Sequence, residues 1–249
     1  LKSLVWSLVL LLSLSLLACA GGPRKSSNVG QVHYILGLSY LQEQNVTLAL
    51  KEFLLAEEVD PDNADIQAGL GQAYQLKKAF PLAEKHYLRA LNLAPDDPRL
   101  QNNLGSLYLD MRRWDDAGRY FQSAASNLLF TNPAVALTGL GFAHYNQGRY
   151  HEAISAYKQA LAQNNSYVQA HFRLGEAYYA LDKIDLAVAS YLSAQALAPG
   201  EALIHYQLGL CYMKKNDRTK AIESFAESIR IAPGAETARL AADYLKLLQ

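Results

Sequence analysis

Cysteine is scarce: the chain of 249 residues has two, Cys19 and Cys211. So distant a pair makes neither a disulfide framework nor a thiolate metal site. A surplus of either charge is missing as well, with 23 Lys and Arg against 23 Asp and Glu. Without a basic excess the chain lacks the electrostatic footprint of a nucleic-acid binder. The apolar run Leu4 to Leu17 falls short of the roughly 20 residues of a membrane-spanning helix. No His-Glu-x-x-His pair, glycine-rich phosphate loop or nucleophile elbow occurs. The sequence carries no enzyme signature, so no catalytic residue, cofactor, metal or small-molecule substrate is expected.

What is present begins with an address. Lys2 precedes the apolar run, and Ala18, Cys19, Ala20, Gly21 and Gly22 follow it. A basic start, a short apolar segment and small residues at its end describe a secretory signal peptide. Leu16-Leu17-Ala18-Cys19 resembles the lipobox of bacterial lipoproteins. That resemblance implies cleavage before Cys19 and acylation of its thiol, with Ala20 favouring the outer membrane. The expected division is a signal over 1–18, a flexible tether over 19–29 and one helical domain over 30–249.

Within that domain the sequence repeats itself. Leu-Gly pairs end at Gly37, Gly71, Gly105, Gly141, Gly175 and Gly209, spaced 34, 34, 36, 34 and 34 residues apart. A tyrosine follows three residues later in five of the six copies, and His144 in the fourth. An alanine stands twelve residues beyond each glycine, from Ala49 to Ala221. Four positions later come Phe53, Tyr87, Phe121, Tyr157, Tyr191 and Phe225. Pro61, Pro95, Pro199 and Pro233 close four of the units. The pattern resembles the tetratricopeptide repeat, a 34-residue helix–turn–helix. Small residues mark helix contacts, aromatic rings fill the gaps beside them, and stacking supplies the core.

The resemblance implies an all-α fold, a right-handed α-solenoid of six repeats. They span 30–63, 64–97, 98–131, 134–167, 168–201 and 202–235, with a capping helix over 236–249. Thirteen helices and no strands are expected after the tether. His33, His171 and His205 share the fourth repeat position, and copies on neighbouring helices lie too far apart for one metal. Cys211 takes a position filled mostly by small residues and reads as packing.

Tetratricopeptide arrays bind partners along the first helix of each repeat. The second, fifth, ninth and twelfth positions of that helix face the groove, and from them come Tyr34, Leu38, Gln72, Asn102, Ser106, Thr138, Phe142, Tyr145, Phe172, Glu176, Tyr179, Tyr206, Leu210 and Met213. Repeats four to six thus set Phe142, Tyr145, Phe172, Tyr179, Tyr206, Leu210 and Met213 along one wall. An apolar stripe of that kind is expected to contact a protein. The Lys/Asn set that clamps a peptide carboxylate is absent.

Two residues are inserted after the third unit, where the closing proline is lost, over Ala124 to Ala134. This junction, the first unit from Leu36 to Pro61, and Asn102-Asn103-Leu104-Gly105 resemble the type IV pilus biogenesis/stability lipoproteins, or pilotins. That family implies an outer-membrane lipoprotein that binds a secretin subunit and assists its assembly, with Cys19 as the lipid site. A general envelope scaffold, gathering peptidoglycan or secretion complexes, is the other expectation.

Overall fold

The structure is a computed structural model and describes residues 27–248. Cys19 and the expected signal segment lie outside the described residues. Thirteen helices and no strand occur among those described, as the spacing predicts. They are α1 (Ser27–Gln42), α2 (Val46–Val59), α3 (Ala64–Leu76), α4 (Phe80–Leu93), α5 (Pro98–Asp110), α6 (Trp114–Ser126) and α7 (Pro133–Asn146). There follow α8 (Tyr150–Gln163), α9 (Val168–Ala180), α10 (Ile184–Leu197), α11 (Ala202–Lys214), α12 (Arg218–Ile231) and α13 (Glu236–Leu248).

Helix ends follow from local chemistry. Asn45, Asn63, Asp97 and Asp217 cap α2, α3, α5 and α12 by accepting from backbone N–H groups of the first turn. Pro98 and Pro133 open α5 and α7, where the missing N–H costs nothing. Helices α2, α4, α10 and α12 stop two residues before Pro61, Pro95, Pro199 and Pro233. Between the two helices of every hairpin one residue is left-handed: Gln44, Lys78, Arg112, Gly148, Asp182 or Asn216. Glycine holds that conformation freely only in the fourth.

The described residues form two compact units, divided between Leu93 and Ala94. In the first, α1 packs on α2 and α3 on α4, while α2 and α3 join the hairpins. In the second, every helix from α5 to α13 packs on the next, and α5 touches α7 as α7 touches α9.

One contact recurs in all six hairpins. The aromatic ring of the second helix lies flat against the glycine of the first. A Cβ on Gly37 would stand 2.5 Å from Phe53, on Gly71 2.6 Å from Tyr87, and on Gly209 2.5 Å from Phe225. Phe53 is held from both sides, since a Cβ on Gly69 would also come within 2.7 Å. Phe121 is held likewise by Gly105 and Gly139. These rings are almost wholly buried, and each such burial contributes about 1.5–3 kcal/mol. Ser228 replaces the repeat alanine in the last hairpin, and its hydroxyl donates to Ala202 O at 2.9 Å.

A second repeated device lies at the fourth position of the first helix. Gln67 Nε2 donates to Pro61 O at 2.9 Å and Gln101 Nε2 to Pro95 O at 3.3 Å. His171 Nε2 donates to Asn165 O and His205 Nε2 to Pro199 O, both at 2.9 Å. Each side chain ties down the carbonyl six residues earlier, in the turn that enters its repeat. At His171 and His205 the shared histidine position is therefore a turn anchor, whereas His33 pairs through Nδ1 with Glu52 Oε2 at 2.6 Å.

The lengthened junction between α6 and α7 is built on Asn127. Its Nδ2 donates to Asp96 O at 3.0 Å, and its Oδ1 accepts from Leu129 N at 2.9 Å. The turn leaves Leu128 and Leu129 in solvent, 100% and 86% exposed.

Gly71→Ala should lower stability by about 1 kcal/mol or more in urea unfolding. The ring clash outweighs the gain of about 1 kcal/mol that alanine brings to a helix. Gly200→Ala, with nothing within 4 Å of its Cβ, should change stability by less than about 0.5 kcal/mol.

Candidate functional site

The predicted groove residues take several different environments. In the first unit the Tyr34 ring lies 6.0 Å from Phe53, and Leu38 is half-buried against the Ala49–Phe53 core. Gln72 is exposed on α3. In the second unit Asn102 and Ser106 are half-buried on α5, and Asn102 Oδ1 is shielded from solvent.

In repeats four and five, Phe142, Tyr145, Glu176 and Tyr179 keep accessible surface. Phe142 lies under the Arg173 guanidinium, 4.3 Å from the ring centre. Arg173 Nη1 in turn donates to Glu176 Oε2 at 2.8 Å. Tyr145 meets Tyr150 edge-on at 5.3 Å, and Lys214 Nζ stands 4.5 Å above the Tyr179 ring.

The expectation of one open apolar wall needs correcting at four of its positions, and the wider groove set at Thr138. Phe172 is 6% exposed and packs against Tyr191 with ring centres 5.6 Å apart. Thr138 is equally buried, and its hydroxyl donates to Ala134 O at 2.8 Å. Tyr206, Leu210 and Met213 pack into a cluster with Tyr244, Leu245 and Leu248 of α13. Tyr206 lies between Phe225 at 5.8 Å and Tyr244 at 6.3 Å. The terminal helix thus packs against the wall of repeat six and leaves Tyr206, Leu210 and Met213 half-buried.

Phe172 and Glu176 line one cavity of about 570 Å³ with Tyr167, Val168, Arg173, Glu201, Leu203 and Ile204. Its size lies within the usual range of ligand pockets, about 300–1,000 Å³. Sequence reasoning missed Arg173, Glu201 and Leu203. Arg173 was detectable, because it occupies the repeat position of Gly69 and Gly139. A long cation where two other copies carry glycine marks a hairpin put to another use.

Glu176 is the electrostatic centre of this region. Burial raises its carboxyl above the usual 4.5, and Arg173 offsets only part of that. Tyr145 is raised by burial and then by Glu176. Tyr157 and Tyr191, both fully buried, are raised in the same way. Cys211 is buried, and its thiol is pushed up to about 12 by burial. A thiol so far from ionising supplies no thiolate nucleophile near neutral pH. Among the described residues no three His, Cys, Asp or Glu side chains converge as a metal site would require.

Tetratricopeptide repeat family models match residues 34–98 and 138–202, 96–166, and 202–235. No protein of curated function matches the sequence. Among solved structures the chain is similar to PilF of Pseudomonas aeruginosa at 21% identity and a TM-score of 0.76. That match covers 87% of this chain and 98% of PilF. PilW, described as a widely conserved type IV pilus biogenesis factor, matches at 20% identity and a TM-score of 0.80, over 86% of this chain and 98% of PilW. YrrB, a tetratricopeptide-repeat protein with an unusual peptide-binding site, matches at 21% and 0.58, over 77% of this chain and 97% of its own. At these identities the likeness establishes the fold.

Phe172→Ala should cost about 3 kcal/mol or more in urea unfolding, because it empties a core position. Glu176 makes stability depend on pH with a definite sign. A carboxyl whose pKa is raised by folding stabilises the protein below its unfolded pKa. That contribution is lost as pH rises through the folded value. Measured against Glu176→Gln, the native chain should therefore lose relative stability between pH 4.5 and neutrality. A difference that does not vary with pH would remove Glu176 from that role.

Proposed function

The chain belongs to the tetratricopeptide-repeat family, and on that footing we propose that it is a lipid-anchored scaffold assisting secretin assembly in type IV pilus biogenesis. Its work is non-covalent: it holds a segment of another protein against the first-helix face of its repeats. Cys19 carries the lipid, and the protein sits at the periplasmic face of the outer membrane.

The observation that carries this reading is the extent of the likeness to two pilus proteins. Both PilF and PilW are matched over 98% of their length. They also span 87% and 86% of this chain at TM-scores of 0.76 and 0.80, whereas YrrB, matched over 97% of its own length, spans 77% of this chain at 0.58. The inserted junction after the third repeat and the lipobox-like Leu16-Leu17-Ala18-Cys19 support the same reading from the sequence.

Within the second unit the binding face centres on Phe142, Tyr145, Glu176 and Tyr179, with the adjoining cavity. Aromatic residues of this kind supply much of the energy of protein interfaces. Four groove residues of the other repeats, Tyr34, Leu38, Asn102 and Ser106, are half-buried, and Gln72 is exposed. They would extend the contact along each unit.

Deletion of the protein from a piliated cell should abolish secretin multimers in outer-membrane fractions, together with twitching motility. A Cys19→Ser chain should fail to restore either. Multimers that persist at their normal level would end the pilus reading. Co-purified peptidoglycan enzymes would then favour the general envelope scaffold.

A further inference from the structure

The cavity beside Glu176 has an imbalance of charge. Its lining carries two carboxylates, Glu176 and Glu201, against one cation, Arg173. Arg173 is already engaged, with its guanidinium over Phe142 and one nitrogen on Glu176. The Glu176 side chain is 19% exposed, so its charge is poorly hydrated. Behind it, Tyr157 and Tyr191 feel its field, yet neither hydroxyl finds a hydrogen-bond partner among the described residues. The remaining wall is apolar, with Phe172, Val168, Leu203 and Ile204.

We infer that this cavity receives a basic side chain, a lysine or arginine, from an extended segment of the partner protein. The inference rests on the proposal that this face binds a partner. Its head group meets Glu176, and its methylene stem lies on Leu203 and Phe172, as long cationic side chains do on apolar surface. A second positive charge would balance a site where one guanidinium stands against two carboxylates. An acidic side chain would face both carboxylates and find its only counter-ion taken. Nearby rings already attract cations: Arg173 lies 4.3 Å from the centre of Phe142, and Lys214 4.5 Å from that of Tyr179. The site differs in kind from a clamp for a peptide carboxylate, which needs an excess of positive groups.

A random-peptide library displayed on phage and panned against the full-length chain tests this. Bound peptides should be enriched in lysine and arginine over the input library, and the enrichment should vanish on Glu176→Gln. Replacing the basic residue of a selected synthetic peptide by methionine should weaken binding about tenfold or more, the loss of one charged hydrogen bond. Leu203→Lys, at a position 41% exposed, should compete from within the chain and reduce capture without unfolding it. Peptides that bind with no basic preference, or equally well to Glu176→Gln, would overturn the inference and leave the binding face standing. If no peptide is enriched at all, the binding face falls, and the inference with it.

Discussion

The whole array depends on a flat ring lying where a side chain would otherwise be. In each hairpin the second helix brings Phe or Tyr against a glycine of the first, closer than any Cβ could tolerate. That contact sets how near the two helices lie and makes substitution costly at six glycines. It also fixes the register, because the ring cannot slide one turn without meeting a side chain. Stacking then follows, since each hairpin leaves an apolar face that only a neighbour can cover.

The same contact explains where polar groups end up. Phe53 and Phe121 are each enclosed by glycines from two successive repeats. A phenol in either place would have its hydroxyl pressed toward backbone. In the fourth and fifth hairpins the ring is a tyrosine, and the following repeat carries Arg173 or Gln207 at the position of the second glycine. Removing that glycine makes room for longer polar side chains. The result is a half-buried carboxylate and guanidinium beside two fully buried phenols inside an otherwise apolar stack. It is the part of the second unit least like its neighbouring repeats, and departures from a local rule concentrate at functional places.

Much of this was legible in the residues. Gly, Ala and aromatic positions recur because each has one structural task, so the hairpins, their turns and the terminal helix could be read from spacing. The histidines of the fourth position were also readable as structural, though not as anchors for a preceding carbonyl. That role appears only when Gln67, Gln101, His171 and His205 are seen making equivalent bonds. The site was less legible. A helical position tells which way a side chain leaves its own axis, and nothing of what comes to cover it. Phe172 leaves toward the groove and is met by Tyr191. Tyr206 does the same and is met by Tyr244. Conversely, Arg173 leaves from a position that is glycine elsewhere and folds back over Phe142.

A chain with no net charge can still hold a local field, and the Glu176 region does so by geometry alone. Had the carboxylate stood on an outer face, water would have screened it and any pairing with Arg173 would have contributed little. Placed beside buried rings its charged form is held at a cost, because burial raises its pKa. Apolar residues of similar volume would often serve stability as well as a buried ion pair does, or better. The fold does not need Glu176 or Arg173 to close its hairpins, because the ring-on-glycine contact already does so. A charge retained where stability gains little from it has its physical use in what it can attract.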